Sequence, residues 1–252
     1  MDKFKTIYYG WVKRWGKVPV ALTLTLVMLL TVFAAAMAAE YVLTTTPGED
    51  EYNIGDALFQ IFLPTDATGT GTFNPFVRVK SNKEIVQGYN TDLKEVQFDE
   101  DFGWTDSIPL SDVPYYMVDG ILYREFQLDI NQVGSKPLIS LDEVQIWLGG
   151  PDVKTISGFV PETIPTDFGS FTGYTLQEVY NLDGYPEGAP EDNYLILNYS
   201  YNDGSGKRDM KLLVPDSKFE PYDEACQFMG TGCEQYVVFY TKFGINDPTI
   251  DH

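Results

Sequence analysis

The chain has 252 residues, with 17 Lys and Arg against 37 Asp and Glu, a formal charge of −20. A surface of that sign repels nucleic acid, whose capture needs cations laid over phosphates. Aromatic residues make up 15%, with 17 Tyr and 16 Phe, enough to build a core and to exclude a disordered acidic tail.

Residues 1–18 carry Lys3, Lys5, Lys13, Arg14 and Lys17 against the single acid Asp2, and an uncharged run follows over 18–39. A basic head, an apolar middle and an A-x-A site at Ala36-Met37-Ala38 have the form of a signal peptide over 1–38. The run also has the ~20 residues that a retained membrane anchor needs. In either case the basic flank stays cytoplasmic. The remainder is expected outside, secreted or at the cell surface, touching membrane only through this segment if it is uncleaved. Past residue 38 the chain loses five cations and one acid and stands at −24. That acidity serves solubility, suits a saline habitat, or attracts a hard cation such as calcium.

Residues 39–55 are polar, punctuated by Pro47 and Gly48, and read as a spacer. Within them 41–46 has strand propensity, which makes a donor strand for a neighbour's sheet edge the second reading. The stretch 56–252 reads as one domain. Strand candidates fall at 57–63, 73–80, 84–89, 93–98 and 115–118, then 155–159, 174–182, 194–201, 210–214 and 236–242. Between the two groups lies 123–150, where alternation is clearest. Phe126, Leu128 and Ile130 share one side, with Glu125, Gln127 and Asp129 opposite. After Gly134-Ser135-Lys136-Pro137 the pattern returns: Val144, Ile146 and Leu148 on one face, Glu143, Gln145 and Trp147 on the other. Period two marks half-buried strands, here expected as neighbours in an antiparallel sheet. A second layer must cover their apolar face. The predicted fold is therefore all-β, an antiparallel β-sandwich that is jelly-roll-like or immunoglobulin-like.

Several phrases appear together in this order: GTGTFNPFVRVK at 69–80, QGYNT at 87–91, YREFQLDINQ at 123–132, ISLDEVQIWL at 139–148, GKRDMKLLVPDSKF at 206–219 and YVVFYTKFG at 236–244. This order resembles a group of secreted, mainly bacterial all-β surface proteins of the PEP-CTERM-associated kind. The resemblance spans 69–244 and implies an extracellular β-sandwich. It describes strands and turns and carries no catalytic constellation. The last residues, INDPTIDH, lack the apolar sorting tail of that group, so no anchoring by sorting is expected.

Catalytic chemistry finds little support. His252 is the single imidazole, which leaves a Ser or Cys nucleophile without a base and zinc without ligands. Cys226 and Cys233, in CQFMGTGC, read in an exported chain as one disulfide. A glycosidase needs only two carboxylates, so the acids keep it as a distant alternative.

Calcium is the expected ligand if an ion binds, and then stabilises the fold. The loop with Asn202, Asp203, Ser205 and Asp209 offers oxygens between glycines, and Asp99 and Asp101 form a second candidate. The plain alternatives are a solvated turn and a wet loop. For a glycan, Trp147 beside Glu143 and Gln145 suits stacking with edge hydrogen bonds, unless the loop 149–161 covers it. Trp104 beside Asp101 and Asp106 is the other platform. The sequence reading is thus an exported structural or adhesive protein, not an enzyme, that self-associates or binds cell-surface or matrix components. A carbohydrate-binding module is the alternative.

Overall fold

The computed structural model describes residues 39–62, 75–161, 168–184, 192–202, 204, 206–220 and 234–245. Its strands are β1 (Ala39–Val42), β2 (Glu51–Ile54), β3 (Ala57–Ile61), β4 (Val86–Tyr89), β5 (Ile108–Pro109), β6 (Tyr115–Val118) and β7 (Ile121–Leu128). They continue as β8 (Leu138–Gly149), β9 (Phe159–Val160), β10 (Ser170–Phe171), β11 (Gln177–Asn181), β12 (Asn193–Asn198), β13 (Met210–Pro215) and β14 (Tyr236–Phe243). Among the described residues no helix is long and apolar enough to cross a membrane.

The long strands β8 and β14 pair antiparallel and found a seven-stranded sheet, ordered β1-β12-β8-β14-β4, with β11 also on β8 and β5 also on β14. A five-stranded sheet runs β2-β3-β13-β7-β6, and β9 pairs with β10. Both larger sheets feed one buried cluster. Phe59, Phe126, Leu212 and Val214 come from the five-stranded sheet, and Val144, Ile146, Leu148, Leu195, Val237 and Phe239 from the seven-stranded one. The protein is all-β and sandwich-like.

The other face of the seven-stranded sheet is also covered. Tyr89, Trp147, Val238 and Tyr240 pack there against Val153, Ile156, Phe159 and Phe171. Aromatic edges meet aromatic faces throughout this cluster; Trp147 lies T-shaped to Phe159, Phe168 and Phe171 at 5.6–5.9 Å. A strand buried on both faces need not alternate in burial, and all of β8 from Ser140 to Gly149 is buried.

Alternation still names the core side of each strand. Phe126 and Ile130 of one stretch, and Val144, Ile146 and Leu148 of the other, all enter the central cluster. Leu141 enters it too, because a bulge between Lys242 and Phe243 sets Glu143 and Leu141 against consecutive residues of β14. The extra residue is Asp142, and the pleat changes side across it.

Three expectations are corrected. β7 and β8 are not neighbours: β7 belongs to the five-stranded sheet and β8 to the seven-stranded one. The residues between them, 129–137, carry the chain from one layer to the other, which alternation alone cannot distinguish from a hairpin. Residues 39–55, expected as a spacer or a donor strand, hold two strands of this chain's own sheets. β1 pairs in parallel with β12 of its own chain and β2 pairs with β3. Finally, 75–80 and 93–98 are irregular apart from a single bridge between Val79 and Glu100. Buried carboxylates there take over the backbone pairing, as described below.

Candidate functional site

The described surface is most unusual at the β6–β7 hairpin. Asp119 and Gly120 join the two strands with φ of +47° and +84°, directly between the paired residues Val118 and Ile121. A two-residue turn with both residues left-handed matches the strand twist and selects Asp-Gly. The strands it joins are apolar and exposed: Tyr115, Tyr116, Met117, Ile121 and Leu122 range from 37% to 60% accessible. Tyr116 stands opposite Tyr123, and Met117 opposite Leu122. Both faces of the hairpin are therefore wet. Between residues 115 and 123 its one charge is Asp119, and Lys211 Nζ lies 4.3 Å from the Tyr116 ring centre.

The root of the hairpin is fixed. Arg124 is buried at 6% exposure. It donates to Leu110 O at 2.9 Å, Val113 O at 3.0 Å, Asp216 Oδ1 at 2.6 Å and Tyr115 Oη at 2.5 Å. Its guanidinium also lies 3.8 Å from the Tyr115 ring centre. Such a fork-shaped set of donors is what arginine, not lysine, supplies. The sequence reading marked 115–118 as a strand but missed the hairpin. Its signal is Val118-Asp119-Gly120-Ile121, an Asp-Gly pair between apolar residues.

The predicted ligand residues are distributed differently. Trp147 is 2% exposed, enclosed by the aromatic cluster. Glu143 and Gln145 beside it are buried as well. Glu143 forms an ion pair with Lys242, and Gln145 accepts from Gly169 N at 2.8 Å. The platform expected at Trp147 is thus corrected to a covered core position: these side chains fasten the outer layer to the sheet. Trp104 differs. It is 53% exposed, next to an equally open Phe102, with the Arg78 guanidinium 5.8 Å from its ring centre.

Asp99 and Asp101 do not converge. Asp99 pairs with Lys83 at 2.8 Å and accepts from Gln87 N, whereas Asp101 faces Arg78 at 3.8 Å. Glu100, between them, is buried and accepts from Tyr89 N and Phe98 N. Asp99 and Glu100 therefore seal β4, while Asp101 ties to Arg78. Burial, reinforced by the Glu100 charge, pushes the Tyr89 hydroxyl up to about 12.

Of the loop candidate, Asn202 and Asp209 are described. Asn202 Nδ2 donates to Phe62 O at 2.8 Å and Arg208 O at 3.0 Å, and Asp209 Oδ2 accepts from Ile130 N at 2.6 Å. Asp203 and Ser205 lie outside the described residues, as do Cys226 and Cys233. The structure adds Asp129 to this loop. Its Oδ2 accepts from Gly206 N at 2.9 Å. Its Oδ1 is buried with no hydrogen-bond partner among the described residues. Burial, the largest cause, raises its pKa above the ordinary carboxylate value, against the backbone N–H groups of Gly206 and Lys207, which lower it. Among the described residues no three His, Cys, Asp or Glu gather as a metal set.

A cavity of about 10 Å³ lies beside this loop, lined by Leu43, Ile61, Ile130, Leu197, Asn198, Tyr201 and Asp209. That is room for one water, not a substrate. No family profile, no curated protein and no solved structure matches this chain.

Proposed function

We propose that this chain is an exported cell-surface or extracellular-matrix protein with a structural or adhesive role, acting through surface contact rather than catalysis. The observation that supports it best is the β6–β7 hairpin. Acidic chains stay dispersed by mutual repulsion, and an uncharged apolar edge works against that dispersion. The proposal includes the N-terminal export segment and a jelly-roll-like or immunoglobulin-like layering. The likeness to secreted all-β surface proteins accords with it.

The test is light scattering and surface adhesion by the full-length chain and a Met117→Lys, Ile121→Lys variant. Both positions are exposed, so the fold should lose no more than about 0.5 kcal/mol at each. Association and adhesion are expected to fall together; unchanged values for both would overturn the proposal.

A carbohydrate-binding module is the second reading, favoured by the accessible indole of Trp104 beside the Asp101 carboxylate and the Arg78 guanidinium. Sugar rings stack on such a face while charged neighbours reach their hydroxyls. Glycan retention by the parent chain that survives Trp104→Ala would remove it. Calcium enters as a stabilising ion, supported by the Asp129 oxygen beside the 202–209 loop that has no partner among the described residues. A melting temperature indifferent to both calcium and chelator would eliminate that part.

A further inference from the structure

We infer that the partner of the hairpin is a second copy of this chain, joined edge to edge through antiparallel β6 strands centred on Tyr116. The inference rests on the surface reading above and specifies it.

Among the described residues seven other strands are paired on one side only: β5, β9 and β10 have two residues each, β11 holds Glu178, and β1, β2 and β4 are defended. β1 holds Glu40 and β2 holds Glu51. β4 is sealed: Asp99 N donates to Gln87 O at 3.0 Å, and Asp99 and Glu100 carboxylates accept from Gln87 N and Tyr89 N. Charge and cover are the usual protections of an open edge. β6, reading Tyr115-Tyr116-Met117-Val118, has no charge of its own and no cover over its open edge among the described residues, and Lys211 Nζ lies 4.3 Å from the Tyr116 ring centre.

The backbone fixes which groups are offered. Glu125 N donates to Pro114 O at 2.9 Å, so residues 114 and 125 form a hydrogen-bonded pair. By alternation 116 with 123 and 118 with 121 do the same. Tyr115 and Met117 therefore turn their N–H and C=O groups away from β7, toward the open edge. The offer stops before them, because Val113 N is engaged with Leu110 O at 3.2 Å. Four outward groups remain, placed symmetrically about Tyr116.

A two-fold axis through Tyr116 sets Tyr115 of each copy against Met117 of the other. Each such pair exchanges two hydrogen bonds, so all outward groups of both copies are used and none is left over. Self-complementarity of this kind defines an isologous contact. The two Tyr116 residues then face each other across the axis as a non-hydrogen-bonded pair, where side chains approach most closely. Asp119 stays at the tip, away from the axis. The five exposed side chains amount to a few hundred Å² of apolar surface, typical of an interaction patch. That falls short of the ~800 Å² per partner of a stable interface. The dimer is accordingly weak and concentration-dependent.

Cysteine cross-linking of the full-length chain tests the register. Opposed residues of a non-hydrogen-bonded pair lie about 4.5 Å apart at Cα, inside the window of roughly 4.4–6.8 Å for a disulfide. Under mild oxidation Tyr116→Cys should form a disulfide dimer on the order of tenfold above Val160→Cys, since pairing holds the thiols at about millimolar effective concentration. Val160 is a fair control for collision, at 52% exposure. The parent chain supplies the background from Cys226 and Cys233. Equal yields from the two variants overturn the β6 pairing. If association is still lost in Met117→Lys, Ile121→Lys while yields are equal, the hairpin surface stands and the second-copy register falls. If that variant also associates normally, the surface reading falls with it.

Discussion

Asp129 shows what a single side chain can reveal. It ends the alternation of 125–130 on the polar side, so the sequence placed it in water. The structure instead holds one of its oxygens on Gly206 N and buries the other without a partner among the described residues. Burial disfavours the ionised form, and the pKa in the folded chain is raised. For a raised carboxylate, the favourable contribution is complete below the unfolded value of about 3.9 and is lost as pH climbs through the folded value. Asp129→Asn keeps an oxygen for Gly206 and removes the ionisation. Its melting temperature should therefore gain on the parent between pH 4 and pH 7. A difference between the two proteins that is constant across that range would contradict this account.

At the scale of elements, the ends of strands are specified as closely as their faces. β14 stops at Phe243, and Gly244 follows with φ of +95°. Its N–H donates to Ser140 O at 3.1 Å, and a Cβ there would lie 2.1 Å from Glu84 O, a backbone atom that has little room to move. Gly244→Ala combines left-handed strain with that clash. It should cost about 3 kcal/mol, a fall on the order of 6–12 °C in melting temperature for a domain of this size. An unchanged melting curve would mean that the turn re-forms elsewhere. The same scale shows what was legible. Period-two alternation identified the core faces of β7 and β8, since burial on one side depends only on local pattern. It could not assign them to different sheets, because layer membership is set by pairing far along the chain, here β7 with β13 and β8 with β12 and β14. The exposed platform at Trp147 fails for a related reason. Its polar neighbours Glu143 and Gln145 suggested a wet face, yet Lys242 and the Gly169 N–H satisfy them under an aromatic layer of Phe159, Phe168 and Phe171. Cover by the loop 149–161 is the reading that holds, since Val153, Ile156 and Phe159 of that loop pack with Trp147. For the hairpin the signal was local and sufficient, Asp119-Gly120 between apolar residues, but nothing in the linear pattern shows that both faces stay exposed.

At the scale of the whole molecule, charge and contact oppose each other, and salt separates them. Each copy carries −20, so two copies approaching through β6 repel over distances comparable to the Debye length, about 30 Å at 0.01 M and 8 Å at 0.15 M. The contact itself is made of backbone hydrogen bonds and apolar side chains, with Asp119 at its tip and Lys211 against the Tyr116 ring. Added sodium chloride therefore shortens the repulsion while leaving the attraction nearly intact. Self-association measured by sedimentation should strengthen from 0.01 to 0.5 M sodium chloride, and Met117→Lys, Ile121→Lys should abolish the response by removing the contact. An interface built from opposite charges behaves in the reverse sense, because salt screens the attraction that forms it. Weakening with salt would consequently locate the contact on a charged part of the surface, away from β6, whatever the cross-linking yield. Strengthening with salt that persists in the Lys variant would instead assign the effect to general screening between copies and take the hairpin out of the account.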